Sequence, residues 1–151
     1  MTDPFALQRF VDAQAPVYDQ VRRELRAGMK TSHWMWFIFP QHVALGSSAT
    51  AKRYGIRSTA EARAYWEHPI LGPRLRECTE LVLAVRGSTA LQIFGSVDTL
   101  KFRSSMTLFE AAAPEEPLFA QALDRYFASE RDARTLALLK EDRPTLTVER
   151  R

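Results

Sequence analysis

Ser32-His33-Trp34-Met35-Trp36-Phe37-Ile38-Phe39-Pro40-Gln41-His42 holds two of the three tryptophans, two of the nine phenylalanines and two of the three histidines of the chain. No other stretch is as dense. Each aromatic side chain has roughly 150–250 Å² to bury, so the rest of the fold, or a ligand, has to cover this run. Trp34 to Phe39 has no clean period of 2 or of 3.6, which leaves a short buried helix and an extended segment both open. Pro40 ends either one.

Toward the N-terminus the pattern is helical. Asp3-Pro4 reads as a cap followed by proline at the first helical position, with Leu7, Phe10 and Val11 on one face. Ala15-Pro16 interrupts, and Val17, Tyr18, Val21 and Leu25 resume the spacing until Gly28, a residue suited to the left-handed position after a helix. An αα-hairpin is expected. Arg22, Arg23, Glu24 and Arg26 lie off the apolar stripe, as on a wet face.

Toward the C-terminus, Val43 to Ser48 is small and contains glycine, which suits a loop running close to other backbone. Ser58-Thr59-Ala60-Glu61 reads as a capping box, in which Ser58 accepts from the Glu61 amide and the Glu61 side chain returns to the Ser58 amide. It starts a helix over about Thr59 to Glu67, which stops before Pro69. Leu71, Leu75, Cys78, Val82 and Val85 then recur at helical spacing, with Pro73 in the first turn and Gly87 just past the end. Cys78 lies on that apolar stripe, as a structural, unreactive thiol does. Thr89 to Phe94 predicts a short apolar turn or helix closed by Gly95. After Pro114 and Pro117, Leu118, Phe119, Ala122, Leu123, Tyr126 and Phe127 mark another amphipathic helix, and Asp132 opens a last one carrying Leu136, Leu138 and Leu139.

The segment Val97 to Ala113, capped by Ser96, breaks the amphipathic rule. At about 100° per residue, Val97, Leu100, Leu108 and Ala111 fall on one side and Phe102, Met106 and Phe109 nearly opposite. A helix apolar on opposed faces belongs in the middle of a domain. Lys101 and Ser105 share one seam between those faces; Arg103 and Thr107 share the other. Long cations on a central helix need a route to solvent, an internal carboxylate such as Glu67, Asp98 or Glu110, or an anionic ligand.

Composition bounds the rest. At 151 residues, 46% hydrophobic and 26% charged, the chain fits one globular domain that needs neither disulfides nor metals. The single cysteine has no internal partner. With no basic-then-apolar leader and no apolar run of membrane length, a cytoplasmic protein with no membrane partner is expected. The net charge of +3 is spread from Arg9 to Arg151 among acidic residues. A mixed surface of that kind permits weak polyanion affinity and argues against a nucleic-acid partner. His33 and His42 lack the spacing of a metal pair, and no Walker loop, Gly-x-Gly-x-x-Gly or Gly-x-Ser-x-Gly is present, so no metal, cofactor or reaction follows.

Three motifs resemble one bacterial family: His33-Trp34-Met35-Trp36-Phe37-Ile38-Phe39-Pro40-Gln41, His68-Pro69-Ile70-Leu71-Gly72-Pro73-Arg74-Leu75, and Asp98-Thr99-Leu100-Lys101-Phe102-Arg103-Ser104-Ser105-Met106-Thr107-Leu108-Phe109. The chain is similar over about Asp3 to Lys140 to domain of unknown function family 1810. The resemblance implies a small, mainly helical protein and carries no established activity, so no catalytic residue transfers.

The expectation is therefore an all-α fold, a single compact orthogonal array of about six to eight helices around a central buried helix, over residues 3–140, with residues 141–151 as a loose tail. Its expected activity is binding, or processing, of a small anionic or nucleotide-like ligand between the aromatic run and the seams of the central helix. His33, Trp34, Gln41, His42, Lys101, Arg103, Ser104, Ser105 and Thr107 are the candidate contacts: a ring to stack on, an amide, two imidazoles, two cations and three hydroxyls. The alternative is a non-enzymatic interaction module, a monomer or homodimer that docks through exposed parts of the aromatic run.

Overall fold

The computed structural model describes residues 2–141; of the expected tail over 141–151, Glu141 ends the last helix and the rest lies outside the described residues. Asp3 does cap the first helix, but from further away than proline at the first position implies. Its carboxylate accepts from the Leu7 and Gln8 amides at 2.8 and 2.9 Å, because a turn through Ala6, at φ 54°, separates the cap from α1 (Gln8–Gln14). The hairpin to α2 (Tyr18–Ala27) closes at Gly28, left-handed at φ 73°.

The aromatic run forms a single helical turn, α3 (Met35–Ile38), which resolves the ambiguity of its pattern. Trp34, Met35, Ile38 and Phe39 are buried, while Trp36 and Phe37 are half-buried. Past Pro40, a 3-10 turn at Val43–Leu45 leads to α4 (Ala49–Arg53), a helix the sequence pattern did not mark, capped by Ser48. The chain does pass close to itself here. Val43 N donates to Ile56 O, Ile56 N to Gln41 O, and a Cβ on Gly55 would lie 2.5 Å from Val43 Cα.

In α5 (Thr59–Glu67), Ser58 Oγ accepts the Glu61 amide as expected. The other half of that box differs. Glu61 Oε1 accepts from the Arg57 amide rather than from Ser58, and Oε2 pairs with Arg9 at 3.0 Å, so α1 draws the carboxylate outward. The reciprocal box is instead at the start of α7, between Thr89 and Gln92. The strongest apolar period becomes α6 (Leu71–Ala84), which packs on α2, α3, α5 and α8.

The segment read as two pieces, before and after Gly95, is α7 (Ala90–Ala112), with Gly95 at φ 84° kinking it where expected. It packs on α5, α8 (Pro117–Phe127) and α9 (Ala133–Glu141). From Phe102 to Phe109 it is buried on both sides, including Ser104, Ser105 and Thr107. Of the apolar face assigned through Val97, Leu100, Leu108 and Ala111, only Leu108 is covered: Val97 and Leu100 are 64% and 63% exposed, and Ala111 is exposed too. Only the part of the helix under α5, α8 and α9 behaves as a central one.

The fold is all-α, with nine helices among the described residues, and one core runs from Leu7 to Leu139. At its centre Phe94 stacks on Phe102 at 4.7 Å, and Phe39 meets Phe102 edge-on at 5.0 Å, so the aromatic run and α7 share one aromatic cluster. Among the described residues no helix is long and apolar enough to cross a membrane.

Candidate functional site

The aromatic run meets α7 at a chain of charges. Lys30 Nζ sits 2.7 Å from Asp98 Oδ2, and Lys101 Nζ 3.8 Å from Asp98 Oδ1. Lys101 lies at i+3 from Asp98 on the helix, and Lys30 reaches it because its amide donates to Ile93 O at 2.8 Å. Two cations thus face one carboxylate. Lys30 is the tighter partner and nearly enclosed, with 7% of its side chain exposed and a further bond to Ser32 O.

Lys101 is the more loosely held of the two cations. Its ammonium lies 5.1 Å from the centre of the Trp36 ring, a cation–π contact. Lys101, Trp36 and Gln41 line one narrow cleft with Met35, Phe39 and Tyr54. Its volume is about 10 Å³, room for roughly one water. Tyr54 is held in place by edge contact with Phe37 at 5.3 Å.

Of the expected contacts, Gln41 and Lys101 come together here. Trp34 does not present a stacking face. It is 1% exposed, with its indole N–H donating to Glu24 Oε1 at 2.9 Å, and Trp36 holds the cleft position instead. His33 is exposed on the loop before α3, outside the cleft lining. His42 is 5% exposed, and its Nδ1 accepts the Ala44 amide, which places the proton of the neutral ring on Nε2.

Arg103 and the hydroxyls turn to the opposite side. Arg103 faces Glu130 at 3.4 Å and Asp132 at 3.9 Å on the connection into α9, not the carboxylates named from sequence. Asp132 Oδ2 accepts from Ser104 Oγ and from the Thr135 amide, and the Asp132 amide donates to Thr107 Oγ1 at 3.0 Å. Arg103, Ser104 and Thr107 therefore fasten the start of α9 to α7. Ser105 Oγ is buried with no hydrogen-bond partner among the described residues.

Tyr54 completes the cleft lining, and Lys30 and Asp98 set the charge beside it; the sequence pattern named Asp98 as an internal partner for the helix cations but singled out neither Lys30 nor Tyr54. Lys30 carries no local signal, since its partner Asp98 lies 68 positions further along the chain. Cys78 is buried on the apolar stripe of α6 as expected, and that burial outweighs the hydrogen bond to Tyr18 and pushes the thiol up to about 12. Among the described residues no three His, Cys, Asp or Glu side chains gather where a metal ion could sit.

A family model described as a protein of unknown function (DUF1810) matches residues 4–139. Among solved structures the chain is similar to the conserved hypothetical protein Rv1873 from Mycobacterium tuberculosis, at 56% identity and a TM-score of 0.90, over 91% of this chain and 99% of that one. No curated protein matches the sequence.

Proposed function

The chain belongs to the DUF1810 family of proteins of unknown function, so its own site has to carry any assignment, and we propose that it binds a small anionic molecule with a planar, nucleotide-like group at the Trp36–Lys101 cleft. The observation that carries this reading is the position of Lys101. With Asp98 already matched by Lys30 at 2.7 Å, the trio of Lys30, Asp98 and Lys101 holds one positive charge in excess, and that charge rests on an aromatic face. An anionic group offers it a better partner than a ring quadrupole does. The planar part of the ligand takes the place of the ammonium on Trp36, and the Gln41 amide supplies a donor and an acceptor at the rim. Because the cleft is narrow, binding requires the Lys101 side chain to swing aside.

Tryptophan fluorescence tests this directly. Nucleoside monophosphates and aromatic carboxylates are titrated into wild type, Trp36→Phe and Lys101→Met. Saturable quenching in wild type that both variants lose supports the site. No quenching by any compound, or quenching retained in Trp36→Phe, rejects it.

A further inference from the structure

A second concavity, on the far side of α4, has a different chemistry. It encloses about 390 Å³, within the range of roughly 300–1,000 Å³ that small-molecule sites occupy. Its walls are the turn Pro4 to Ala6, the end of α4 and the start of α5. We propose that this groove binds a phosphate-bearing small molecule.

The walls are locked together by one side chain. Arg9 Nε donates to Arg53 O at 2.7 Å; Nη1 donates to Phe5 O and Ala6 O; Nη2 donates to Gly55 O and Glu61 Oε2, both at 3.0 Å. Every N–H of that guanidinium is used, so Arg9 shapes the groove and leaves recognition to others. Glu61, the one carboxylate in the lining, is spent in the same way, with Arg9 on one oxygen and the Arg57 amide on the other. Asp3, in the same N-terminal turn, faces the Leu7 and Gln8 amides.

Three cations remain. Lys52, Arg53 and Arg57 are exposed on the groove lining, and none of them takes part in an ion pair among the described residues. Lack of an ion pair does not by itself set them apart, since Arg23, Arg26, Arg74, Arg86, Arg125 and Arg134 have none among the described residues either, and the Arg53 guanidinium lies 5.6 Å from the Tyr54 ring centre; what distinguishes these three is that they line one concavity. Two guanidiniums and an ammonium converging on one concavity with its only carboxylate neutralised suit a doubly charged oxyanion, which guanidinium groups grip bidentately. Ser58 Oγ accepts the Glu61 amide and keeps its own O–H to donate. Half-buried Phe5 lines the same groove and offers an apolar surface for the body of the molecule. A bounded concavity with three cations fits one phosphorylated molecule better than a polymer backbone, which calls for an extended basic stripe.

Calorimetry with pyrophosphate and ribose 5-phosphate tests the proposal, using wild type, the double variant Arg53→Ala/Arg57→Ala, and Lys101→Met. Thermal melts confirm that each variant folds. The expected result is saturable binding of at least one probe by wild type. That binding weakens at least about tenfold in the double variant, which removes two charge-assisted contacts, and is unchanged in Lys101→Met. Amide NMR shifts on titration should centre on Arg57 and Ser58. The proposal is overturned if neither probe binds wild type at millimolar concentration, if binding survives the double variant, or if a ten-nucleotide RNA binds more tightly than either probe with a steep salt dependence. Loss of the Trp36 quenching described above leaves this result untouched, so the two sites stand or fall separately.

Discussion

Trp34 Nε1 donates to Glu24 Oε1 at 2.9 Å, and so ties the first residue of the buried aromatic run to a carboxylate on α2. Four further donors converge on the same carboxylate: the Thr31 and Ser32 amides, Ser32 Oγ and Gln20 Nε2. Glu24 is only 4% exposed, and these bonds together set the path of the chain from the end of α2 into α3.

That arrangement makes stability depend on acid. Burial on its own raises the Glu24 carboxyl, but the bonds from Ser32, Gln20 and the two amides outweigh it and hold the group well below its ordinary 4.5. A depressed folded value means the stabilisation is in full force above about 4.5 and is lost as pH falls below it. Glu24→Gln sets an amide N–H₂ against donors and should cost about 3 kcal/mol at neutral pH. Urea midpoints at pH 7 and pH 3 measure this: the gap between wild type and variant should shrink at pH 3.

Two hydroxyls two positions apart, on opposite seams of α7, should respond in opposite directions. Ser105 Oγ is buried without a partner among the described residues, so Ser105→Ala should be neutral or stabilising by up to about 1 kcal/mol. Thr107 Oγ1 accepts the Asp132 amide, and Thr107→Val should cost about 1–3 kcal/mol by leaving that N–H unsatisfied. Thermal denaturation of both variants decides; a large loss in Ser105→Ala would contradict its placement.

The thiol of Cys78 should not react in the native protein. It is fully buried, and burial pushes it up to about 12. Labelling with a chromogenic disulfide at pH 8 should give no thiol per chain when folded and one in denaturant. Rapid native labelling would show that α2 and α6 part readily.

Glycines separate space from conformation. A Cβ at Gly72 would lie 2.1 Å from Trp66 O, a backbone atom that cannot step aside, so Gly72→Ala should cost about 2–3 kcal/mol through displacement of α6 from α5. Gly87 has φ 75° and open space around it, so Gly87→Ala should cost only the conformational term of about 1–2 kcal/mol. Denaturant midpoints should rank Gly72→Ala as the less stable.

Local chemistry explains which elements could be read from the chain. α5 and α6 follow from Ser58, Pro69, Pro73 and an unbroken apolar period, all signals carried by neighbours in sequence. Gly28 and Gly95 mark a helix end and a kink because only left-handed backbone serves there. α4 was missed because Ala49 to Arg53 has no apolar stripe; it is held by Ser48 and by Arg9 reaching Arg53 O.

An all-α protein, most of its helices, the burial of the larger part of the aromatic run and a division of Lys101 from Arg103 by their places around one helix were legible in the sequence. Only the tertiary structure decided what those side chains face. Lys30 reaches Asp98 beside Lys101, Asp132 collects Arg103, Ser104 and Thr107, and Arg9 pulls Glu61 away from its helix cap. Helical periods and caps arise between residues a few positions apart, and so they are written locally. The pairs that define the site's surroundings, such as Lys30 with Asp98 and Arg9 with Glu61, join residues tens of positions apart, and are settled only when packing has brought them within a few ångströms.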